Sequence, residues 1–114
     1  MKYDRIMGFA GELVALRRDL HMHPELAFEE HRTSKLVAEE LTRLGYGVTT
    51  GIADTGVIGT LVNGTSRKAV GIRADMDALP IHETTGLAYA SRHDRKHASC
   101  QHDEKHRQAQ WFRE

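Results

Sequence analysis

With 114 residues, 39% of them hydrophobic and 28% charged, the chain is at most one domain of ordinary globular composition. Sixteen basic and sixteen acidic side chains cancel, which excludes an overall field that would favour nucleic acid or an anionic membrane. No apolar run approaches the roughly 20 residues of a membrane span and no basic-then-apolar leader opens the sequence, so a cytoplasmic location is expected.

The first predicted element is an amphipathic helix over residues 9–21, where Leu13, Leu16 and Leu20 recur at spacings of three and four around Arg17, Arg18 and Asp19. Pro24 disfavours helical geometry at His23, so this helix should end by Met22. His21 and His23, two apart at its end, are either ligands or exposed histidines that complement the helix dipole. A second helix is expected from Thr33 to Leu44, with Leu36, Val37, Leu41 and Leu44 on one stripe, Thr33 or Ser34 as N-cap, Arg43 in the last turn and Gly45 just beyond.

Three strands should follow, at residues 46–50, 57–62 and 69–74, punctuated by Gly51, Gly56 and the reversal signal Asn63-Gly64. The third, Ala69-Val70-Gly71-Ile72-Arg73-Ala74, has the near-continuous apolar pattern of a strand buried on both faces. It runs into Asp75 and Asp77 before Pro80. Loops beyond the carboxyl ends of strands hold ligands in open α/β sheets, although acidic residues before a proline are also ordinary turn punctuation. The order helix, helix, strand, strand, strand reads as the opening of an α/β layered domain that still needs a helix layer. From Arg92 to Glu114 charged residues, His and Gln dominate and no period survives, the composition of a poorly ordered tail.

That tail holds the one cysteine. A single thiol excludes an intramolecular disulfide and leaves an inert group, a nucleophile or a metal ligand. His93, His97, His102 and His106 crowd around it. Cys100-Gln101-His102-Asp103 joins two good donors for zinc and similar ions at a spacing that can aim both to one side. Two donors do not complete a site, and a chance cluster in a His-rich stretch has the same look.

Taken together, Leu13 to Glu30 with its Asp19-Leu20-His21-Met22-His23-Pro24-Glu25-Leu26 string, Thr55-Gly56-Val57, Gly71 to Ile81, and Cys100-Gln101-His102-Asp103 resemble the N-terminal part of the metal-dependent N-acyl-amino-acid amidohydrolases. Hippurate hydrolases, indole-acetyl-amino-acid hydrolases and N-acetyl-diaminopimelate deacetylases make up this group, which is related to aminoacylases and zinc carboxypeptidases. The resemblance implies an incomplete zinc-exopeptidase-like α/β/α catalytic domain over residues 1–91 and a divergent His-rich tail over 92–114. It implies Cys100 and His102 as ligands of a two-metal centre holding zinc, manganese, cobalt or nickel. Asp75 is implied to support that centre by orienting a ligating histidine. The implied reaction is hydrolysis of the amide bond of an N-acyl or N-aroyl amino acid such as hippurate, with no nucleic-acid or membrane partner; family members are often homo-oligomers.

The departures limit that expectation. Gln101 stands where the family has glycine, Asp94-Arg95-Lys96-His97-Ala98-Ser99 replaces its Pro-Gly-Lys-Met-His-Ala, and Glu104-Lys105 replaces its glycine-histidine. The family's general-base glutamate and remaining ligands have no match here. A truncated, inactive member with a frame-changed tail is therefore expected. The alternatives are a small metal-binding or self-associating module, or a non-functional remnant.

Overall fold

The structure, a computed structural model, describes residues 4–93. A single turn of helix, α1 (Asp4–Met7), precedes the first long helix, α2 (Ala10–Met22). α2 stops where the proline requires. His23 leaves the helical region at φ −127° and ψ 60°, while its backbone N–H still donates to the carbonyl of Leu20 at 3.2 Å. Of the expected stripe, Leu16 and Leu20 are half-buried and Leu13 is exposed.

The second long helix, α3 (His31–Arg43), starts two residues before the expected Thr33. Neither Thr33 nor Ser34 is its N-cap. Glu30 holds that position without a side-chain cap bond, and Thr33 lies inside the first turn. The orphan amides there are satisfied by Glu25 from the preceding loop, which removes the need for a capping hydroxyl. At the other end the expectation of a glycine stop holds. Gly45 takes φ +86°, its N–H donates to Thr42, and the N–H of Tyr46 donates to Leu41, which is the paired-bond ending that a left-handed residue permits.

Two strands follow, β1 (Gly47–Ile52) and β2 (Gly56–Thr60), paired antiparallel with Gly47 opposite Thr60 and Thr49 opposite Ile58. Ala53 and Asp54 turn the hairpin at φ +48° and +76°, a left-handed pair matched to the right-handed twist of the flanking strands. Gly56 is sterically compulsory there, since a Cβ would lie 2.4 Å from the carbonyl oxygen of Ile52. α3 packs across both strands, as its stripe requires. Contact is tightest at Gly59, where an added Cβ would meet Leu41 Cδ1 at 2.9 Å and Tyr46 Cδ1 at 3.3 Å.

The expected third strand does not form. Residues 69–74 take no regular structure, and Val70 and Ile72 are 64% and 79% exposed, the reverse of burial on both faces. A central strand needs a neighbour on each edge and a covering layer on each side. Among the described residues the only sheet is the two-stranded hairpin. The chain bends at Gly64, with φ +78°, as Asn63-Gly64 suggested. The result is an incomplete α/β unit, and no described helix is long and apolar enough to cross a membrane.

Candidate functional site

Among the described residues burial is mostly polar. His21, Glu30, Thr33 and Thr55 are buried, against Pro24 and Ala78 among the apolar residues. All but Thr55, which reaches in from the hairpin turn, belong to a junction where the end of α2, the loop 23–30, the start of α3 and the segment 78–92 converge.

His21 is the first post. The last turn of α2 carries it inward, and its Nε2–H donates to Glu83 Oε1 at 2.9 Å, with the two side chains only 4% and 3% exposed. Of the two readings of His21, as a ligand or as an exposed histidine, the exposed one does not hold: the ring is buried, and Glu83 supplies the partner its burial demands. The other oxygen of Glu83 accepts the N–H of Ser91 at 2.6 Å, and the Thr85 hydroxyl donates to the same carboxylate. Burial opposes the charge on Glu83, yet the hydrogen bonds from Thr85, His21 and Ser91 outweigh it and bring the carboxyl down to about 2. The carboxylate is therefore ionised at neutral pH. Tyr89 meets the His21 ring edge-on at 5.6 Å, and its own face receives the guanidinium groups of Arg17 and Arg18 at 5.5 and 4.8 Å.

Glu25 is the second post. Its Oε1 accepts the N–H of Arg32 at 2.9 Å, and its Oε2 accepts both the N–H and the hydroxyl of Thr33 at 2.7 Å. Burial again works against the charge, but the Thr33 hydroxyl, the two backbone amides and the Arg32 guanidinium hold this carboxyl below its usual range. Arg32 also binds Asp19 at 2.7 Å, and His23 Nδ1–H donates to the Asp19 carbonyl at 2.9 Å. Glu30, at the head of α3, accepts the Thr55 hydroxyl at 2.7 Å and so fixes the hairpin turn.

Two backbone contacts tie the later chain to these posts. The N–H of Ala78 donates to the Glu25 carbonyl at 2.7 Å within a parallel bridge between Leu26 and Ala78, and the N–H of Arg92 donates to the Met22 carbonyl at 3.0 Å. Asp75 lies just before the bridge and is held by Arg73 at 3.1 Å, both side chains exposed. Cys100 and His102 lie outside the described residues. Among the described residues no three histidine, cysteine, aspartate or glutamate side chains converge to hold a metal. His21 and Glu83 instead satisfy one another.

Glu30 and Glu83 were not singled out by sequence reasoning, and Glu25 entered it only within the string Asp19-Leu20-His21-Met22-His23-Pro24-Glu25-Leu26. Each acts on a partner at least seven residues away, so no local period or cap pattern marks it. The only available signal was the pairing of a histidine-rich helix end with carboxylates further along.

Relatives with this local sequence are longer. A hippurate hydrolase of Campylobacter jejuni is 46% identical over 98 residues, covering 86% of this chain and 26% of that protein. Among solved structures, a protein from methicillin-resistant Staphylococcus aureus assigned as an aminohydrolase superposes with a TM-score of 0.81 at 39% identity, over 88% of this chain and 27% of that one. The Bacillus subtilis YXEP protein, a dinuclear metal-binding peptidase of the M20 family, gives a TM-score of 0.68 at 37% identity, over 85% of this chain and 27% of that one. The chain thus spans about a quarter of the length of the relatives it matches. No family model matches it.

Proposed function

We propose that this chain is an N-terminal segment of a metal-dependent amidohydrolase of the kind that includes hippurate hydrolase and the M20 peptidases, and that it is the scaffold on which such an enzyme builds its metal centre. The observation that carries this reading is the 46% identity to hippurate hydrolase, which extends over 86% of the chain. The activity it points to is hydrolysis of the amide bond in N-acyl or N-aroyl amino acids.

In this reading residues 1–91 are the partial catalytic domain and residues 92–114 the divergent tail. Cys100 and His102 are the metal donors within this chain, and thiolate with imidazole suits zinc and comparable divalent ions. A metal bound there would polarise the substrate carbonyl and activate water. Asp75 would orient a ligating imidazole once the following residues pack against it. The two ties at Ala78 and Arg92 fix the described chain on either side of Glu83. A ligand thiolate also calls for a reducing compartment, which favours the cytoplasm.

Two donors retain a metal weakly, and no residue of the chain matches the family's general base, whose loss alone costs on the order of a hundredfold or more in rate. The 114-residue chain alone should therefore release no glycine from hippurate in zinc, manganese or cobalt. The positive test is a chimera in which residues 1–93 replace the matching segment of the Campylobacter hippurate hydrolase. Metal-dependent glycine release should survive; a folded, metal-loaded chimera without activity sinks the reading.

A further inference from the structure

Asn63 is the one asparagine of the chain, and Gly64 follows it directly. The pair opens the reversal between β2 and the segment 69–74, and every residue from Leu61 to Lys68 is exposed. Among the described residues neither the Asn63 side chain nor the Gly64 N–H has a hydrogen-bond partner. The loop's own bond lies further on, from the Lys68 N–H to Ser66 Oγ at 3.2 Å. Gly64 holds φ +78°, and no atom lies within 4 Å of the place a Cβ would take. The backbone beside its amide nitrogen is therefore uncrowded.

We propose that Asn63 is a site of spontaneous covalent modification, losing its side-chain amide as ammonia and becoming aspartate or isoaspartate. Asparagine is among the thermolabile side chains, and a following glycine presents the least hindered backbone nucleophile. The Gly64 amide gives its proton to solvent base, and its nitrogen attacks Cγ of Asn63. The bond from Cγ to the side-chain nitrogen breaks, and that nitrogen takes up a proton and leaves as ammonia. Water then opens the five-membered imide. Breaking the new bond at Cγ gives aspartate, whereas breaking the original peptide bond gives isoaspartate. Water is the only co-reactant. The reacting groups belong to consecutive residues, and connecting segments run over the surface of longer proteins too, so no later part of the chain and no metal enters the reaction. Either product adds a negative charge shortly before Arg67 and Lys68, and isoaspartate also lengthens the backbone by one methylene group. The hairpin should be unaffected, because β2 ends at Thr60.

Incubating the full chain at mildly alkaline pH with reductant and chelator, then measuring intact mass and peptide fragments, tests this. A gain of one mass unit on the peptide that holds Asn63 is expected, with release of one ammonia per chain and a new methyl acceptor for an isoaspartyl methyltransferase. The gain should be absent from Asn63→Gln, whose longer side chain would have to close a six-membered ring. In Gly64→Ala it should be about tenfold slower, because the added methyl group hinders the nucleophile. Folded and urea-unfolded chains should react within about threefold of each other, since the loop holds neither reacting group in a bond that unfolding would break. Circular dichroism shows that each variant keeps the fold. A constant mass, a gain that falls on Gln101, Gln108 or Gln110, or an unslowed Gly64→Ala variant overturns the proposal. So does a folded chain slower than the unfolded one by more than about threefold.

Discussion

The polar junction and the apolar stretch at residues 69–74 invert the usual expectation of what goes inside. Charged and hydroxyl side chains at the junction are buried and fully engaged, whereas Val70 and Ile72 face water. The difference lies in how many partners each needs. Glu83 and Glu25 close their hydrogen bonds with groups between Asp19 and Arg92, all within the described chain. A two-sided strand requires edges and layers that a hairpin and two long helices do not supply. Local polar closure therefore does not depend on an apolar core around it, although each buried charge it contains must stay paired.

The sharpest way to break this contrast is Glu83→Ala. It strands a buried histidine and the Ser91 amide, and should cost about 3 kcal/mol. Amide exchange at Ser91 and Arg92 should accelerate more than exchange in the hairpin, and equal acceleration everywhere would remove the junction as a separate unit. Glu25→Ala comes next. It uncaps α3 and should cost about 1–2 kcal/mol, read as lost helicity and earlier melting.

Acid should act on both posts in the same direction. The folded carboxyl of Glu83 lies near 2 and that of Glu25 below its ordinary range, so each binds protons less readily when folded. Their stabilisation is complete above the unfolded carboxylate value near 4.5 and is lost as pH falls toward 2. Near-ultraviolet circular dichroism of Tyr89 should follow that window, and a signal unchanged from about pH 7 to about pH 2 would contradict it. The smallest effect is expected from Val70→Thr or Ile72→Thr. Both side chains are already in water, so melting should move by less than about 0.5 kcal/mol.

What the sequence made legible follows the same division. Helix ends were readable where one residue decides them, as at Pro24 and Gly45, and the first two strands, though not their pairing, were readable from Gly51, Gly56 and the apolar runs beside them. The cap of α3 was misplaced because a distant carboxylate did the work of a local hydroxyl. The strand at 69–74 was misread because its pattern describes a burial that other segments must provide. The resemblance to the amidohydrolases was legible from short strings such as Arg73-Ala74-Asp75-Met76-Asp77-Ala78-Leu79-Pro80, whereas the proposed metal donors Cys100 and His102 lie outside the described residues.

The bond between His21 and Glu83 joins residues 62 apart in the chain, and that span has a consequence in time. Closing so long a loop carries an entropy cost that only the finished network offsets. α3 and the hairpin, built from neighbouring segments, can form while the ends of the junction are still far apart. Folding should therefore run from the middle outward, with α2 and the 78–92 segment docking last. In a pulse-labelling experiment the amides of α3 should gain protection before those of Ser91 and Arg92, and the reverse order would show that the junction nucleates the fold.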